Sequence, residues 1–279
     1  MKVLSVCSGG GGIDEGLKQA GIKTTLAIDN NRDCIETMKL NHDCETLLGD
    51  ILQYEYSFDN FDLVVGGPPC PEFSNAKPNK SYDDKLVRCF FRIVERTKAK
   101  THLMENVPGV INVCKNKNFL IDMADYGLAQ NRVRRFYTNL ELPKKTHSSY
   151  PSNDLFGNKI KKWVSVRDAI DVKDWLWINK TSFRGQNKKM LSQSVNSPSP
   201  TIVNANQYQL TEYPIYSTFY HKYENKSTKS ESLTLNQRQI LQGFSPDYKF
   251  YGSPHSVRSQ ICNAVPPPVI KQFFESSMN

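Results

Sequence analysis

Residues 61–74 read Phe61-Asp62-Leu63-Val64-Val65-Gly66-Gly67-Pro68-Pro69-Cys70-Pro71-Glu72-Phe73-Ser74. The apolar run from Asp62 to Val65 is rich in β-branched residues and is followed at once by Gly-Gly-Pro-Pro, which predicts a buried strand that stops at a rigid turn. Cys70 therefore follows the carboxyl end of a strand, where open α/β sheets bind their ligands. A lone cysteine is more often an inert buried side chain, so a reactive role for Cys70 depends on the rest of the chain.

The length and composition are those of a globular chain. A length of 279 residues allows one domain with an insertion, or two domains. Hydrophobic residues make up 38% and charged residues 23%, as in soluble proteins. No apolar run is long enough to cross a membrane, and the strand-like amino terminus lacks the pattern of a secretory signal. We therefore expect a cytoplasmic protein with no membrane partner.

The seven cysteines are odd in number and scattered, and they include no C-x-x-C pair. This pattern indicates neither a disulfide framework nor a zinc site. No metal site is expected.

Positive charge is concentrated in the second half of the chain. The formal net charge is +8, and residues 141–230 hold 14 Lys/Arg and 7 Asp/Glu, so this segment alone carries +7. A basic surface of this kind favours a polyanion such as nucleic acid. A solvated, lysine-rich face is the alternative.

Two acids follow a glycine loop near the amino terminus. Lys2 to Cys7 is predicted to be a strand, Ser8-Gly9-Gly10-Gly11-Gly12 a turn and Ile13 to Ala20 a helix. In this order a ligand can approach the backbone and the helix amino terminus. Asp29 ends the next strand, where a carboxylate can bond ribose hydroxyls. Asp50 ends a third strand and suits an adenine amino group, although either acid could instead cap a helix.

A polar, turn-rich stretch from Asn75 to Tyr82 follows Cys70. It predicts a mobile loop that carries Lys77 and Lys80. Catalysis by closure of this loop would fit its position.

Further polar groups follow the next predicted strands. The short strand His102-Leu103-Met104 delivers Glu105, whose carboxyl group could meet Cys70 across the same cleft; an exposed loop acid is the alternative. Phe119 to Tyr126 is helical in outline. If the chain is extended from Arg132 to Arg134, alternation sends both side chains to one face.

The amino-acid composition of the chain changes at Pro143. From there to about Lys229 it is rich in Ser, Asn, Lys and Tyr, which predicts a small, basic, loop-rich second domain. Leu233 to Phe244 is predicted to be a helix with polar and glycine ends, and a further helix covers Ser256 to Val265. We therefore divide the chain into a first domain over 1–142, a small domain over 143–232 and a return to the first domain over 233–279.

The order and spacing of these motifs resemble the cytosine-C5 DNA methyltransferases along nearly the whole chain. Each motif alone is moderately specific, and all of them in the right order strongly indicate the family. The cofactor loop with Gly9, Gly11 and Gly12 is similar to F-S-G-x-G-G, Pro68 to Ser74 to P-P-C-x-x-F-S, Glu105-Asn106-Val107 to E-N-V, Gln130 to Arg134 to Q-x-R-x-R, and Asn263 to Pro267 to G-N-A-V-P-P.

The resemblance implies an α/β fold, with a Rossmann-like class I methyltransferase domain built on a mostly parallel sheet and a small basic target-recognition domain over 143–232. Ser197 to Ile202 resembles the stretch that closes that domain. The resemblance also implies S-adenosylmethionine as cofactor and cytosine C5 in double-stranded DNA as acceptor. We expect a monomer, with a cognate restriction endonuclease as a further partner in the same system.

The family chemistry assigns roles to four residues. Cys70 would add to cytosine C6 as a thiolate, and Glu105 would hold the ring at N3. Arg134, together with Arg132, would bind the base O2 and the neighbouring backbone. Because none of these groups can reach a stacked base, the cytosine would be flipped out of the duplex.

The resemblance also implies two sets of binding residues. The implied cofactor contacts are Cys7, Ser8, Gly9, Gly11, Gly12, Asp29, Asn30, Asp50, Ile51, Pro68, Asn263 and Val265. The implied nucleic-acid contacts are Ser74, Lys77, Lys80, Lys85 and Gln130.

The chain departs from the family pattern in places. Cys7 stands where phenylalanine is usual, and Cys262 replaces the glycine before Asn263. The stretch between Val107 and Tyr126 is shorter than in typical members, which predicts that a helix, or a helix and a strand, of the first domain is missing or abbreviated.

Three alternatives stay open. One branch of the family methylates transfer RNA, so an RNA cytosine is a possible substrate. A homologue that has lost activity would be a DNA-binding module. A dehydrogenase that uses NAD could share the fold, but hydride transfer does not require the motifs around Cys70 and Glu105.

Overall fold

The structure is a computed structural model that describes residues 1–54, 57–69, 84–110, 117–153, 157–172, 176–180, 190–204, 208–211 and 231–278. Of these, 176–180, 190–193, 208–211, 231 and 277–278 are described by their backbone. Within the described ranges, no helix is long and apolar enough to span a membrane.

A seven-stranded sheet lies at the centre of the fold. Its strands are β1 (Val3–Val6), β2 (Leu26–Asp29), β3 (Glu45–Leu48), β4 (Leu63–Gly66), β5 (Thr101–Asn106), β6 (Asn118–Asp122) and β7 (Val133–Thr138). They are ordered β3-β2-β1-β4-β5-β7-β6. All neighbours are parallel except β7, which runs antiparallel to both β5 and β6. The expected Rossmann-like, mostly parallel sheet is confirmed.

The two central strands have the most apolar sequences. Every residue of β1 and β4 is buried, and the strands pair in register from Val3 with Leu63 to Val6 with Gly66. Parallel strands covered on both faces read as continuous apolar runs, which explains why residues 62–65 were recognisable. The parallel strands end at one edge of the sheet, which we call the carboxyl edge.

Helices cover both faces of the sheet. In chain order, the α-helices of the described residues are α1 (Gly12–Gln19), α2 (Arg32–Asn41), α3 (Ile51–Tyr54), α4 (Lys85–Thr97), α5 (Val166–Ala169), α6 (Leu235–Leu241), α7 (Pro254–Asn263) and α8 (Pro267–Met278), of which α5 and α6 belong to a separate core. Val65 and Leu103 belong to the core under α1 and α8, whereas Val64 and Met104 belong to the core under α4. Successive strand residues thus point to opposite faces, as the pleat requires.

The stretch from Phe119 to Tyr126 is not the helix that its pattern predicts. It begins as β6 at the sheet edge and continues as a short 3-10 helix, Met123–Tyr126. Phe119 and Ile121 contribute to one core while Leu120 is exposed. Clustered apolar residues over so few positions fit a period of 3.6 or 2 equally well, and pairing with β7 decides the outcome.

The connection between β5 and β6 is short. Residues 107–117 link these two strands, which run parallel with β7 between them. In the described residues of the connection, 107–110 and 117, there is no helix. The expected loss or abbreviation of an element here stays a prediction.

The described residues of the region assigned to the second domain include two small sheets. One has the order β8-β10-β9, with β8 (His147–Ser148), β9 (Ser152–Asn153) and β10 (Lys159–Lys162). The other has the order β12-β11-β13-β14, with β11 (Leu176–Lys180), β12 (Met190–Ser194), β13 (Tyr208–Thr211) and β14 (Glu231–Ser232). A separate core attaches Val166, Val195 and Ile202 to Leu241 of α6. The division at residues 142 and 232 stays a prediction.

Candidate active site

The ends of β4 and β5 are joined at the carboxyl edge. The side-chain amide of Asn106 donates a 3.0 Å hydrogen bond to the carbonyl of Pro68. Glu105 lies beside the same turn, since a Cβ built on Gly67 would be 3.8 Å from Glu105 Oε2. The carboxyl group of Glu105 therefore lies next to the turn that leads to Cys70. Cys70 itself lies outside the described residues.

Glu105 forms an ion pair with Arg134. The Nε atom of Arg134 lies 3.1 Å from Oε1 of Glu105, and both side chains are largely buried. Burial raises the pKa of Glu105, and the positive charges of Arg134 and then Arg132 oppose that rise. A carboxyl group with a raised pKa is held closer to its protonated form, so it can donate a proton to, or share one with, a ring nitrogen.

Arg132 has a different environment from Arg134. Its side chain is 2% exposed, and its Nη2 donates a 3.3 Å hydrogen bond to the carbonyl of Ala264. Both arginines act electrostatically on Glu105. Arg134 lies in contact with the carboxylate, whereas Arg132 lies in the interior against the C-terminal motif.

A cavity of about 570 Å³ opens beside the glycine loop. Ten of the twelve expected cofactor contacts line it: Cys7, Ser8, Gly9, Gly12, Asp29, Asn30, Asp50, Ile51, Asn263 and Val265. The other two, Gly11 and Pro68, are not among the lining residues. Their neighbours Gly10 and Pro69 line the cavity instead. Pro68 is buried, and its carbonyl accepts the hydrogen bond from Asn106.

The glycine loop is tied to the end of β2. The backbone N–H of Gly9 donates to Oδ2 of Asp29 at 2.8 Å, and the N–H of Asn31 donates to Oδ1 at 2.8 Å. Burial raises the pKa of Asp29, and these two hydrogen bonds oppose the rise. Each carboxylate oxygen accepts more than one hydrogen bond, so Asp29 can still receive hydroxyl groups from a ligand in the cavity.

The lining chemistry fits an adenosyl cofactor. Carboxylates at Asp29 and Asp50 match hydroxyl and amino donors, and Ile51, Leu52 and Leu86 provide apolar surface. A Cβ built on Gly9 would meet no atom within 4 Å, so the loop leaves room for a ligand. Among the described lining residues none is aromatic, so aliphatic side chains would contact a purine ring.

Helix α7 forms a cavity wall that sequence reasoning missed. Ser256, Ser259 and Gln260 line the cavity together with Asn263. Gln260 is fixed by a 2.6 Å hydrogen bond from the Thr37 hydroxyl. The signal was available, because positions 256, 259, 260 and 263 share one face of a helix that leads into the Asn263 motif.

Of the expected nucleic-acid contacts, the structure describes Lys85 and Gln130. Lys85 is exposed at the start of α4 and lines the cavity. Ser74, Lys77 and Lys80 lie outside the described residues.

Gln130 differs from the expectation. It is fully buried, its Nε2 donates to the carbonyl of Leu241 and to Oε1 of Gln242, and its Oε1 accepts from the N–H of Ile202. Gln130 therefore joins the backbone at Ile202 to the end of α6. Its side-chain amide is buried and bonds to protein groups.

The family profile described as C-5 cytosine-specific DNA methylase matches residues 1–121 and 115–279. Among curated proteins, the Type II methyltransferase M.AquIA of Picosynechococcus sp. is 33% identical over 218 residues, covering 61% of this chain and 87% of its own length. The Type II methyltransferase M.NgoPII of Neisseria gonorrhoeae is 27% identical over 327 residues, covering 95% of this chain and 92% of its own length.

Solved structures share the fold over the whole chain. A mutant of DNMT2 from Spodoptera frugiperda superposes with a TM-score of 0.66 at 18% identity, covering 100% of this chain and 99% of its own. The Dnmt2 methyltransferase of S. pombe gives a TM-score of 0.63 at 15% identity, with coverages of 100% and 97%.

Proposed function

Because the chain belongs to the C-5 cytosine-specific DNA methylase family and is similar to proteins named Type II methyltransferases, we propose the following reaction. The protein transfers a methyl group from S-adenosylmethionine to C5 of a cytosine that is flipped out of double-stranded DNA. Cys70 forms a transient covalent bond to C6 of that cytosine.

One observation carries the proposal: the cavity and the Glu105–Arg134 pair flank the same turn. Gly67 and Pro69 line the cavity, and Gly67 also lies beside the Glu105 carboxyl group. Cys70 is the next residue after Pro69. A methyl donor and a cytosine ring could therefore be brought together at a single thiol.

The cavity residues would hold the cofactor. Asp29 would bind the ribose hydroxyls, Asp50 the adenine amino group, and the loop from Ser8 to Gly12 the methionine part. S-adenosylmethionine, when bound, supplies an electrophilic methyl group.

The side chains around the turn would activate the base. The Cys70 thiolate adds to C6, and the electron pair of the C5–C6 double bond then makes C5 nucleophilic toward the methyl group. Glu105 holds N3 and neutralises the charge that develops on the ring, while Arg134 binds O2. After methylation, a base removes the C5 proton, and its electron pair restores the double bond as the C6–S bond breaks.

The DNA contacts proposed outside this centre are phosphate contacts. Lys77, Lys80 and Lys85 would position the duplex without reading its sequence, and the basic segment over 143–232 would select the target. We propose that the enzyme acts as a monomer. A cognate restriction endonuclease would be its partner in a restriction–modification system, in keeping with relatives named Type II methyltransferases.

The test is nucleoside mass spectrometry of duplex DNA and total RNA after incubation with the protein and S-adenosylmethionine. We expect 5-methyldeoxycytidine in DNA from the wild type and none from Cys70→Ala. In parallel, a duplex that contains 5-fluorodeoxycytidine should form a covalent complex with the wild type, because fluorine cannot leave C5 as a cation.

The outcomes separate the alternatives. Methylcytidine in RNA alone would replace the DNA substrate by an RNA substrate. Tight duplex binding with neither product nor covalent complex would identify a binding protein. Product formed by Cys70→Ala would exclude the thiol mechanism.

A further inference from the structure

Three aromatic side chains from the C-terminal part of the chain pack together, and two of them, Tyr248 and Phe250, lie against the glycine loop. Phe244, Tyr248 and Phe250 form a ring cluster with centroid separations of 4.7 to 5.2 Å. A Cβ built on Gly10 would lie 3.1 Å from the ring of Phe250. Gly9 lines the cavity, and a Cβ built on it would meet no atom within 4 Å. Aromatic side chains therefore support one side of the loop, while a ligand can reach the other side.

The hydroxyl of Tyr248 makes the one specific contact between this cluster and the loop among the described hydrogen bonds. It donates a 2.8 Å hydrogen bond to the carbonyl of Gly10, and Tyr248 is 7% exposed. A Cβ on Gly11 would collide with this hydroxyl and with Met38 Sδ. Gly11 has φ +77°, so both its conformation and this close approach require glycine.

The same hydroxyl lies 3.2 Å from Nε2 of His42. Because its hydrogen is directed to Gly10, the Tyr248 oxygen accepts from His42, which places a hydrogen on Nε2 of that ring. Burial lowers the pKa of His42 to about 4, so the imidazole is neutral near pH 7. His42 follows α2, and the chain of contacts therefore links α2, Tyr248 and the loop.

We propose that Tyr248 is a positioning residue for the cofactor. Through Gly10 it fixes the glycine loop in the conformation that lines the cavity, without touching the cofactor itself. This inference rests on the proposed use of the cavity by S-adenosylmethionine. Tyr248 lies about 240 positions from the loop in sequence and is not among the residues that line the cavity.

The test compares Tyr248→Phe with Tyr251→Phe by calorimetric titration with S-adenosylmethionine and with S-adenosylhomocysteine. Tyr251 is half exposed in the same segment, so it is a matched control. We expect the dissociation constants to rise about fivefold in Tyr248→Phe, which is the typical effect of one neutral hydrogen bond, and to stay unchanged in Tyr251→Phe. The KM for the cofactor should rise by the same factor while kcat at saturation is retained.

Hydrogen exchange distinguishes positioning from general packing. In Tyr248→Phe the amides of residues 9–12 should exchange faster, with residues 244–250 unchanged. Faster exchange over both segments, or a dissociation constant within twofold of the wild type, would overturn the inference. If Tyr248→Phe does not fold, His42→Leu removes the donor that orients the Tyr248 hydroxyl; unchanged amide exchange at residues 9–12 together with unchanged cofactor affinity would then overturn the inference. If the wild type binds neither ligand, the proposed function fails instead.

Discussion

The Glu105 carboxyl group is buried and lies 3.1 Å from Arg134. Its burial raises the pKa, and Arg134 lowers it. Replacing Arg134 by Gln removes the opposing charge, so the pKa of Glu105 should rise further. Infrared difference titration of the carboxyl band checks this prediction, with Arg135→Gln as the control one position along the strand. A fall in the pKa of Glu105 would show that Arg134 does not act as a charge on this group.

Glu105→Gln keeps the shape of the side chain but cannot give up a proton. If Glu105 holds and protonates the base, kcat should fall about 100-fold or more, as for the loss of a general acid. Cofactor binding should be unchanged, because Glu105 does not line the cavity. A turnover within a few-fold of the wild type would exclude the proposed role.

The stability of the fold depends on the ionisation of Asp14. It is buried, accepts hydrogen bonds from Ser5 and Thr24, and burial raises its pKa from 3.8 to about 6. The raised pKa means that the folded state favours the protonated form. Stability from this group is therefore present below pH 3.8 and lost as pH rises to about 6, by about 3 kcal/mol in all.

Urea unfolding at several pH values between 4 and 7 measures the effect of Asp14. The free energy of unfolding of the wild type should fall relative to that of Asp14→Asn as pH rises through this window. A constant difference between the two proteins would show that Asp14 is charged in the folded state throughout.

The positions of site residues could be predicted where a motif also fixes the backbone. Glu105 follows from the end of a strand, and Asp29 from the spacing after the glycine loop. Gln130 could not be placed in this way, because its partners Leu241, Gln242 and Ile202 are more than 70 positions away. A motif letter identifies the residue, but only the tertiary contacts show whether its amide faces ligand or protein.

Helices α1 and α8 pack at unusually close range. A Cβ on Gly16 would lie 2.5 Å from Cβ of Ile270 and 2.6 Å from the carbonyl oxygen of Pro267. In an exposed helix interior, Ala is favoured over Gly by about 1 kcal/mol. At position 16 the overlap with the backbone of α8 cannot be relieved by a side-chain rotation. Gly16→Ala should therefore lower the free energy of unfolding by about 1–2 kcal/mol.

The pair Gln19→Gly and Gln19→Ala is the control for Gly16, because Gln19 is exposed on the same helix. There the alanine variant should be the more stable of the two. Thermal or urea unfolding of all three variants checks the reversal of sign. A stabilised Gly16→Ala protein would mean that α8 is not held against α1 as described.

Elements with a long or doubly buried apolar pattern were predictable from the sequence. β1 and β4 are continuous apolar runs whose residues are all buried. The stretch from Phe119 to Tyr126 was assigned wrongly because its identity depends on pairing with β7. No local pattern contains that information.

The distribution of charge along the chain determines the salt dependence that we expect for DNA binding. The formal net charge is +8, of which the segment 141–230 carries +7. Strand β10 presents three exposed lysines, Lys159, Lys161 and Lys162. The position of such a surface could be anticipated from composition, whereas the three-stranded sheet that displays it could not, since its strands have two to four residues each.

If the lysines of β10 contact phosphates, each contact contributes about 0.9 to the slope of log K against log salt concentration. The triple variant Lys159→Gln, Lys161→Gln, Lys162→Gln should bind duplex DNA more weakly at low salt, with a slope shallower by about 2–3. The double variant Lys98→Gln, Lys100→Gln is the control, because these exposed residues precede β5 at the edge of the sheet opposite Glu105. Its slope should equal that of the wild type.

Fluorescence anisotropy with a labelled duplex at several salt concentrations measures the slopes of both variants. Equal slopes for the triple variant and the wild type would remove β10 from the DNA-binding surface, and a reduced slope for the control would show that charge acts without regard to position.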